Sequence, residues 1–149
     1  SAFESKGASS RLFTAIRMEP IGEFFYKPAV IQALENNEIV IFSGGTGNPY
    51  FTTDTASALR AIEMEADVML KGTRVDGVYT SDPEKDAEAE KYEELTFNEA
   101  LQKELRILDL TAFTMCKEND LPIIVFNMNE KGTLKRLISG EKVGTLVKN

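Results

Sequence analysis

Short apolar runs of strand length alternate along this chain with segments whose apolar residues recur at helical spacing, and that alternation is the strongest constraint on its fold. Residues 11–16 alternate moderately, residues 27–35 carry a helical apolar pattern, and residues 38–42 form a short apolar strand that runs into glycines. Residues 54–64 read as the next helix, because Ala58, Leu59, Ile62 and Ala66 recur on one face, and residues 67–70 as a further buried strand. Residues 75–83 are turn-rich, and residues 81–94 are polar and charge-dense, the pattern of a solvated loop. Helices are expected over residues 98–105 and 109–117, a strand over 123–126, a short helix over 133–138 and a last strand over 145–147. Strands separated by helices imply an α/β fold, a mainly parallel sheet with helices on both faces. A chain of 149 residues, 42% of them hydrophobic, can bury one sizeable core, so residues 1–149 are expected to form a single domain. No internal repeat, low-complexity segment or interdomain linker interrupts the pattern.

Several function classes drop out on composition. The net charge of −7 lacks the positive field that draws a protein to a nucleic-acid backbone, so no nucleic-acid partner is expected. Histidine is absent, which removes imidazole bases, imidazole metal ligands and Ser-His pairs, and no metal-ligand set stands out. Chemistry must therefore use carboxylates, lysines, hydroxyls, backbone dipoles or a bound cation. Cys116, the one cysteine, excludes an internal disulfide and reads as a small core or half-buried residue on its helix. No apolar run approaches the length needed to span a bilayer; no membrane association and a cytoplasmic location are expected.

The most informative stretch is Ser43, Gly44, Gly45, Thr46, Gly47, Asn48, Pro49, Tyr50, Phe51, Thr52, Thr53, Asp54. It joins the carboxyl end of an expected buried strand to the start of a helix, the position where open α/β sheets bind ligands. Glycines let the backbone approach an anion, and the amides and dipole of the following helix favour phosphate. Thr46, Asn48, Thr52 and Thr53 add groups suited to phosphate, ribose or base. The same residues also fit a plain glycine turn in which Thr52 or Thr53 caps the helix.

The order of residues decides between those readings. Gly-Thr-Gly-Asn-Pro-Tyr-Phe-Thr-Thr-Asp, residues 45–54, closely resembles the UMP-binding loop of bacterial uridylate kinases, members of the amino acid kinase family. Leu-Lys-Gly-Thr-Arg-Val-Asp-Gly-Val-Tyr-Thr-Ser-Asp-Pro, residues 70–83, resembles the same family's ATP-binding segment. Met18-Glu19-Pro20-Ile21, Tyr92-Glu93-Glu94-Leu95-Thr96, Asp109-Leu110-Thr111-Ala112-Phe113, Phe126-Asn127-Met128-Asn129 and residues 140–146 extend the match over nearly the whole chain. An aspartate or carbamate kinase of the same family shares Val-Asp-Gly-Val-Tyr and Asp-Pro, but not the Gly-Thr-Gly-Asn-Pro-Tyr-Phe loop. A non-catalytic anion- or nucleotide-binding module on the same fold is the alternative from a different class.

The resemblance implies phosphoryl transfer from ATP to UMP, with UDP and ADP as products, and a carbamate kinase-like fold. It implies that Thr46, Gly47, Asn48, Pro49, Tyr50, Phe51, Thr52 and Thr53 contact UMP, and that Thr73, Tyr79 and Asp82 contact ATP. Tyr79 offers a flat face and a polar tip, and Asp82 can accept from ribose hydroxyls, although both also fit a half-buried core tyrosine and an ordinary Asp-Pro turn. Asp54 matches an acidic residue that orients lysines in the family and is the expected catalytic residue, acting directly or through Mg2+; its plain alternative is a favourable charge at a helix start. Lys71 could bring charge to the ATP phosphates or simply be solvated at a strand end, and Asp109 reads as an N-cap or, more boldly, a site contact. A hexamer, GTP activation and UTP inhibition are further implications of the resemblance.

Measured against that family, the glycine-rich, lysine-containing loop for the ATP phosphates and a second glycine loop with an aspartate for UMP are absent. Residues 1–7 read as a short helix-like piece stopping at Gly7, cut within a helix, so the chain is expected to be the carboxy-terminal part of a longer enzyme. Alone it is expected to have little kinase activity and exposed apolar sheet edges.

Overall fold

Local signals in the sequence mark the ends of several elements of the computed structural model, which describes residues 2–149. Gly7, in the left-handed region at φ 78°, ends a single 3-10 turn, Glu4–Lys6, while Ser1 of the expected helical piece lies outside the described residues. The strands are β1 (Ser10–Thr14), β2 (Glu23–Phe24), β3 (Ile39–Ser43), β4 (Met69–Thr73), β5 (Glu94–Thr96), β6 (Ile123–Asn127) and β7 (Thr145–Lys148). The helices are α1 (Lys27–Glu35), α2 (Thr53–Glu63), α3 (Phe97–Gln102), α4 (Leu110–Glu118) and α5 (Thr133–Ile138). The chain divides into two compact units, one ending at Glu65 and the other running Ala66–Asn149.

In the first unit three parallel strands lie in the order β2-β1-β3. Pro28 opens α1, where a missing N–H costs nothing, and the helix turns Val30 and Ala33 onto Phe13 of β1. Phe25, Ala29, Val40 and Met64 close around that cluster. Arg11 grips Glu23 with two hydrogen bonds, 2.9 and 2.6 Å, and so ties β2 to β1. The guanidinium of Arg60 lies 3.7 Å from the centre of the Phe25 ring while it pairs with Glu63, so α2 packs through an amphipathic side chain.

One expectation needs correction here: residues 38–42 are not a buried strand. β3 is the edge of its sheet, and Ile39, Ile41 and Phe42 are 36–37% exposed. Among the described residues it ladders with β1 alone, and much of its apolar side-chain surface is exposed.

In the second unit four strands run β4-β6-β7-β5, with β4-β6 and β5-β7 parallel and β6-β7 antiparallel. Thr96 and Glu99 form a reciprocal capping box that starts α3, and Asp109 caps α4 by accepting from Ala112 N–H at 3.1 Å. Asp109 thus takes the N-cap role weighed for it in the sequence. The core includes Phe97, Phe113, Leu95, Cys116, Ile123 and Val147, with the Phe97 and Phe113 rings edge to face at 5.1 Å. Full burial of a side chain such as Phe97 contributes about 2–3 kcal/mol. Cys116 is a buried core thiol beside Met69, with Sγ 3.9 Å from Sδ, as its sequence context suggested.

Candidate functional site

The loop at the carboxyl end of β3 takes its shape from glycine. Gly44, Gly45 and Gly47 have φ of 82°, 63° and 75°, a region that costs an L side chain. Gly44 and Gly47 also lie against Ala15, and a Cβ on Gly47 would sit 3.0 Å from the Ala15 carbonyl oxygen. The Gly47 N–H closes the turn onto the Gly44 carbonyl at 3.1 Å. Thr46 Oγ1 accepts from Asn48 N–H at 3.1 Å, and Asn48 Nδ2 donates back to the Thr46 carbonyl at 3.3 Å, so these two side chains hold the turn.

Beyond Asn48 the segment opens to solvent. Tyr50 is a non-glycine residue at φ 70°, fully exposed, and Phe51 beside it is 54% exposed. Backbone held in that region against its local preference, carrying a bare aromatic ring, is the kind of strain that collects at ligand sites. Thr52 is the N-cap of α2: its hydroxyl accepts from Thr55 N–H at 3.1 Å, the capping role weighed for it in the sequence. Thr53 is the first helical residue and is exposed; Asp54 follows in the first turn, half-buried, where a carboxylate suits the positive end of the helix. Residues 46–54 are thus continuous along one surface loop and helix start.

The second unit holds the other predicted residues at the carboxyl end of β4. The strand extends to Thr73, so Lys71 is a mid-strand residue opposite Val125, not a strand-end one. Thr73 Oγ1 donates to the Val75 carbonyl at 2.7 Å and accepts from Val75 N–H at 3.1 Å, turning the chain sharply out of the sheet. The half-buried Tyr79 donates its hydroxyl to Asp76 Oδ1 at 2.6 Å, and Lys91 Nζ donates to Asp76 Oδ2 at 3.0 Å. The Tyr79 hydrogen bond, reinforced by Lys91, holds the Asp76 carboxyl below its ordinary range, and Asp76 in turn raises the Tyr79 phenol above its own. Asp82 is exposed; it accepts from Glu84 N–H at 3.0 Å and pairs with Lys85 at 2.9 Å, which hold its carboxyl low. A carboxylate has about four acceptor positions, so these bonds leave capacity for a ligand hydroxyl.

Residues 81–94 are exposed along almost their whole length, as a solvated loop should be, and only their returning arm is tied down: Thr80 N–H reaches the Glu90 carbonyl and Tyr92 N–H the Val78 carbonyl, both at 2.9 Å, with Tyr79 bridged antiparallel to Lys91. Asp76 and Lys91 were not singled out from the sequence. A carboxylate three residues before a tyrosine across a glycine turn was a legible signal for Asp76; Lys91, fifteen residues away, had none.

Residues 2–127 match the model of the amino acid kinase family. A uridylate kinase of Bacteroides thetaiotaomicron is 61% identical over all 149 residues of this chain, which cover 63% of that relative's length. A crystal structure of UMP kinase from Bacillus anthracis superposes with a TM-score of 0.94 at 37% identity, over 97% of this chain and 60% of that one. The UMP kinase structure from Ureaplasma parvum also gives 0.94, at 35% identity over 99% of this chain and 63% of its own. The chain thus spans less than two thirds of the length of each of these relatives. On the extent of the family match and the folds it shares, this chain belongs to the amino acid kinase family.

Proposed function

We propose that this chain takes part in phosphoryl transfer from ATP to UMP, as a uridylate kinase in which residues 1–149 form the nucleotide-binding, carboxy-terminal part of one kinase domain. The observation that carries the reading is the loop between β3 and α2. Three glycines at positive φ shape its backbone, two of them, Gly44 and Gly47, against Ala15, and its threonines, Asn48 and exposed aromatics then lead into a capped helix start. Such a cradle suits the phosphate and base of UMP, with residues 46–53 as its contacts. The turn after β4 suits ATP: Tyr79 supplies a ring face held in place by Asp76, Asp82 supplies acceptors for ribose, and Thr73 shapes the exit from the strand.

Transfer of a phosphoryl group rests mainly on positioning and on cations that offset charge, and Asp54 is the residue to orient them. Among the described residues no three acidic or thiol side chains converge as a metal cage. In this proposal Mg2+ would be held chiefly through nucleotide phosphates and water and would supply charge neutralisation. A place in pyrimidine nucleotide synthesis, a cytoplasmic location, hexamer formation and responses to GTP and UTP belong to the same proposal. Among the described residues no helix is long and apolar enough to cross a membrane.

Calorimetric titration with UMP, aspartate and inorganic phosphate tests the acceptor site, and a coupled ADP assay on the full-length polypeptide tests the transfer. UMP-selective binding with UMP-dependent ADP release is the expected result. Phosphate binding without selectivity for UMP would instead identify an anion-binding module.

A further inference from the structure

We infer that Thr145 is a positioning residue for the turn that carries Tyr79, an inference that rests on the reading of that turn as an ATP site. Thr145 opens β7, is fully buried, and lies 66 positions beyond Tyr79 in the sequence. Its hydroxyl accepts from Val78 N–H at 2.8 Å and donates to the Tyr92 carbonyl in a short bond. Those two partners sit on opposite arms of the antiparallel ribbon in which Tyr92 N–H bonds the Val78 carbonyl and Tyr79 bridges Lys91. One buried hydroxyl therefore satisfies a group from each arm and fixes the ribbon to the sheet.

Two further contacts make the clamp tight. A Cβ on Gly77 would fall 2.5 Å from Thr145 Oγ1, so the turn's backbone lies directly on the hydroxyl with no room for a side chain. Thr145 itself is held in register opposite Val125, and the preceding Gly144, at φ 85°, presses against the Val125 carbonyl so closely that any Cβ there would collide with it. The clamp thus hangs from the rigid pairing of β6 with β7 and ends one residue before Tyr79. Removing the hydroxyl leaves a buried N–H and a carbonyl unpaired, and the arm carrying Tyr79 loses its registration.

The test is steady-state kinetics of the full-length polypeptide with ATP and UMP varied separately. Thr145→Val keeps the shape and deletes both hydrogen bonds; we expect KM for ATP to rise about tenfold, with KM for UMP and kcat changed by less than about twofold. Thr145→Ser keeps the hydroxyl and is expected to restore the ATP KM. If Thr145→Val does not fold, Gly77→Ala attacks the clamp from the other side and is expected to give the same ATP-specific rise. Equal rises in both KM values, an unchanged ATP KM in the folded variants, or no rescue by serine overturns the inference. A wild-type protein that does not transfer phosphate to UMP defeats the underlying functional reading, whereas an active wild type with ATP-insensitive variants defeats only the role of Thr145.

Discussion

The Tyr79 hydroxyl donates to Asp76 Oδ1 at 2.6 Å, so the ring proposed to face a nucleotide is fixed by a carboxylate three residues before it. The bond lowers the pKa of Asp76 and raises that of Tyr79. A carboxylate with a depressed folded pKa contributes stability above its unfolded value, about 4, and loses it as pH falls through the lowered folded value. A tyrosine with a raised folded pKa contributes below about pH 10 and loses that contribution as pH rises through its folded value. Asp76→Asn is therefore expected to flatten the acid limb of the stability profile and bring the Tyr79 step back toward about 10. Denaturation as a function of pH, with ultraviolet titration of tyrosinate and Tyr79→Phe to assign the step, checks both. A Tyr79 step that stays put in Asp76→Asn would rule this coupling out.

Gly47 should be the least replaceable glycine of the loop between β3 and α2. Alanine there must adopt φ near 75° and bring its Cβ to 3.0 Å from the Ala15 carbonyl oxygen. The left-handed conformation alone costs about 1–2 kcal/mol, and the backbone contact adds to it. Gly47→Ala is expected to lower stability by at least that amount in urea denaturation and to weaken UMP binding in titration. Gly45, whose added Cβ would meet no atom within 4 Å, should lose only the conformational part when replaced by alanine.

Thr52 separates capping from ligand binding. Thr52→Ala removes the acceptor for Thr55 N–H and should cost about 1 kcal/mol of stability, while Thr52→Ser should keep it. If Thr52 also contacts UMP, the alanine variant loses affinity at temperatures where it remains fully folded. A variant that melts lower but binds UMP as the wild type does would leave capping as its sole role.

The sequence pattern exposed most of this because long periodic segments report burial directly. α1, α2 and α4 each place at least two buried residues on one face, and their starts carry Pro28, Thr52 and Asp109. β2 and β5 were illegible for the opposite reason: both residues of β2 are exposed, and only Leu95 of β5 is buried, too few for a period. The edge position of β3 was hidden as well, since Ile-Val-Ile-Phe reads as a buried strand whether or not another strand covers it. Of the candidate sites, the glycines and the capping threonine were visible in the residue order, whereas the joining of Thr145 to Val78 depends on a pairing 67 residues apart.

Asp54 carries the catalytic proposal, and its effect should appear in turnover. It stands in the first turn of α2, after the cap, and Asp54→Asn keeps the shape while replacing a charged acceptor oxygen with a neutral amide group. Its loss from the helix start should cost well under about 1 kcal/mol of stability. The expected loss in kcat is about a hundredfold, with little change in KM for either nucleotide, because the interaction is made as charge develops in transfer. Stopped-time assays of UDP formation by the full-length polypeptide would reveal it; a variant with unchanged kcat removes Asp54 from the mechanism.

Cys116 gives a probe of the second unit that is independent of nucleotides. The thiol is fully buried beside Met69, and burial pushes its pKa up to about 11. The reactive thiolate is thus scarce at neutral pH as well as shielded. Native protein should therefore react with a thiol-specific disulfide reagent only as fast as this region opens, and reach one equivalent promptly once denatured. Because the same core carries β6 and β7, Thr145→Val should accelerate the reaction only modestly if its clamp holds the outer ribbon and not the core. Labelling of Thr145→Val as fast as the denatured protein would mean that the residue supports the whole unit, and any rise in the ATP KM would then reflect general unfolding.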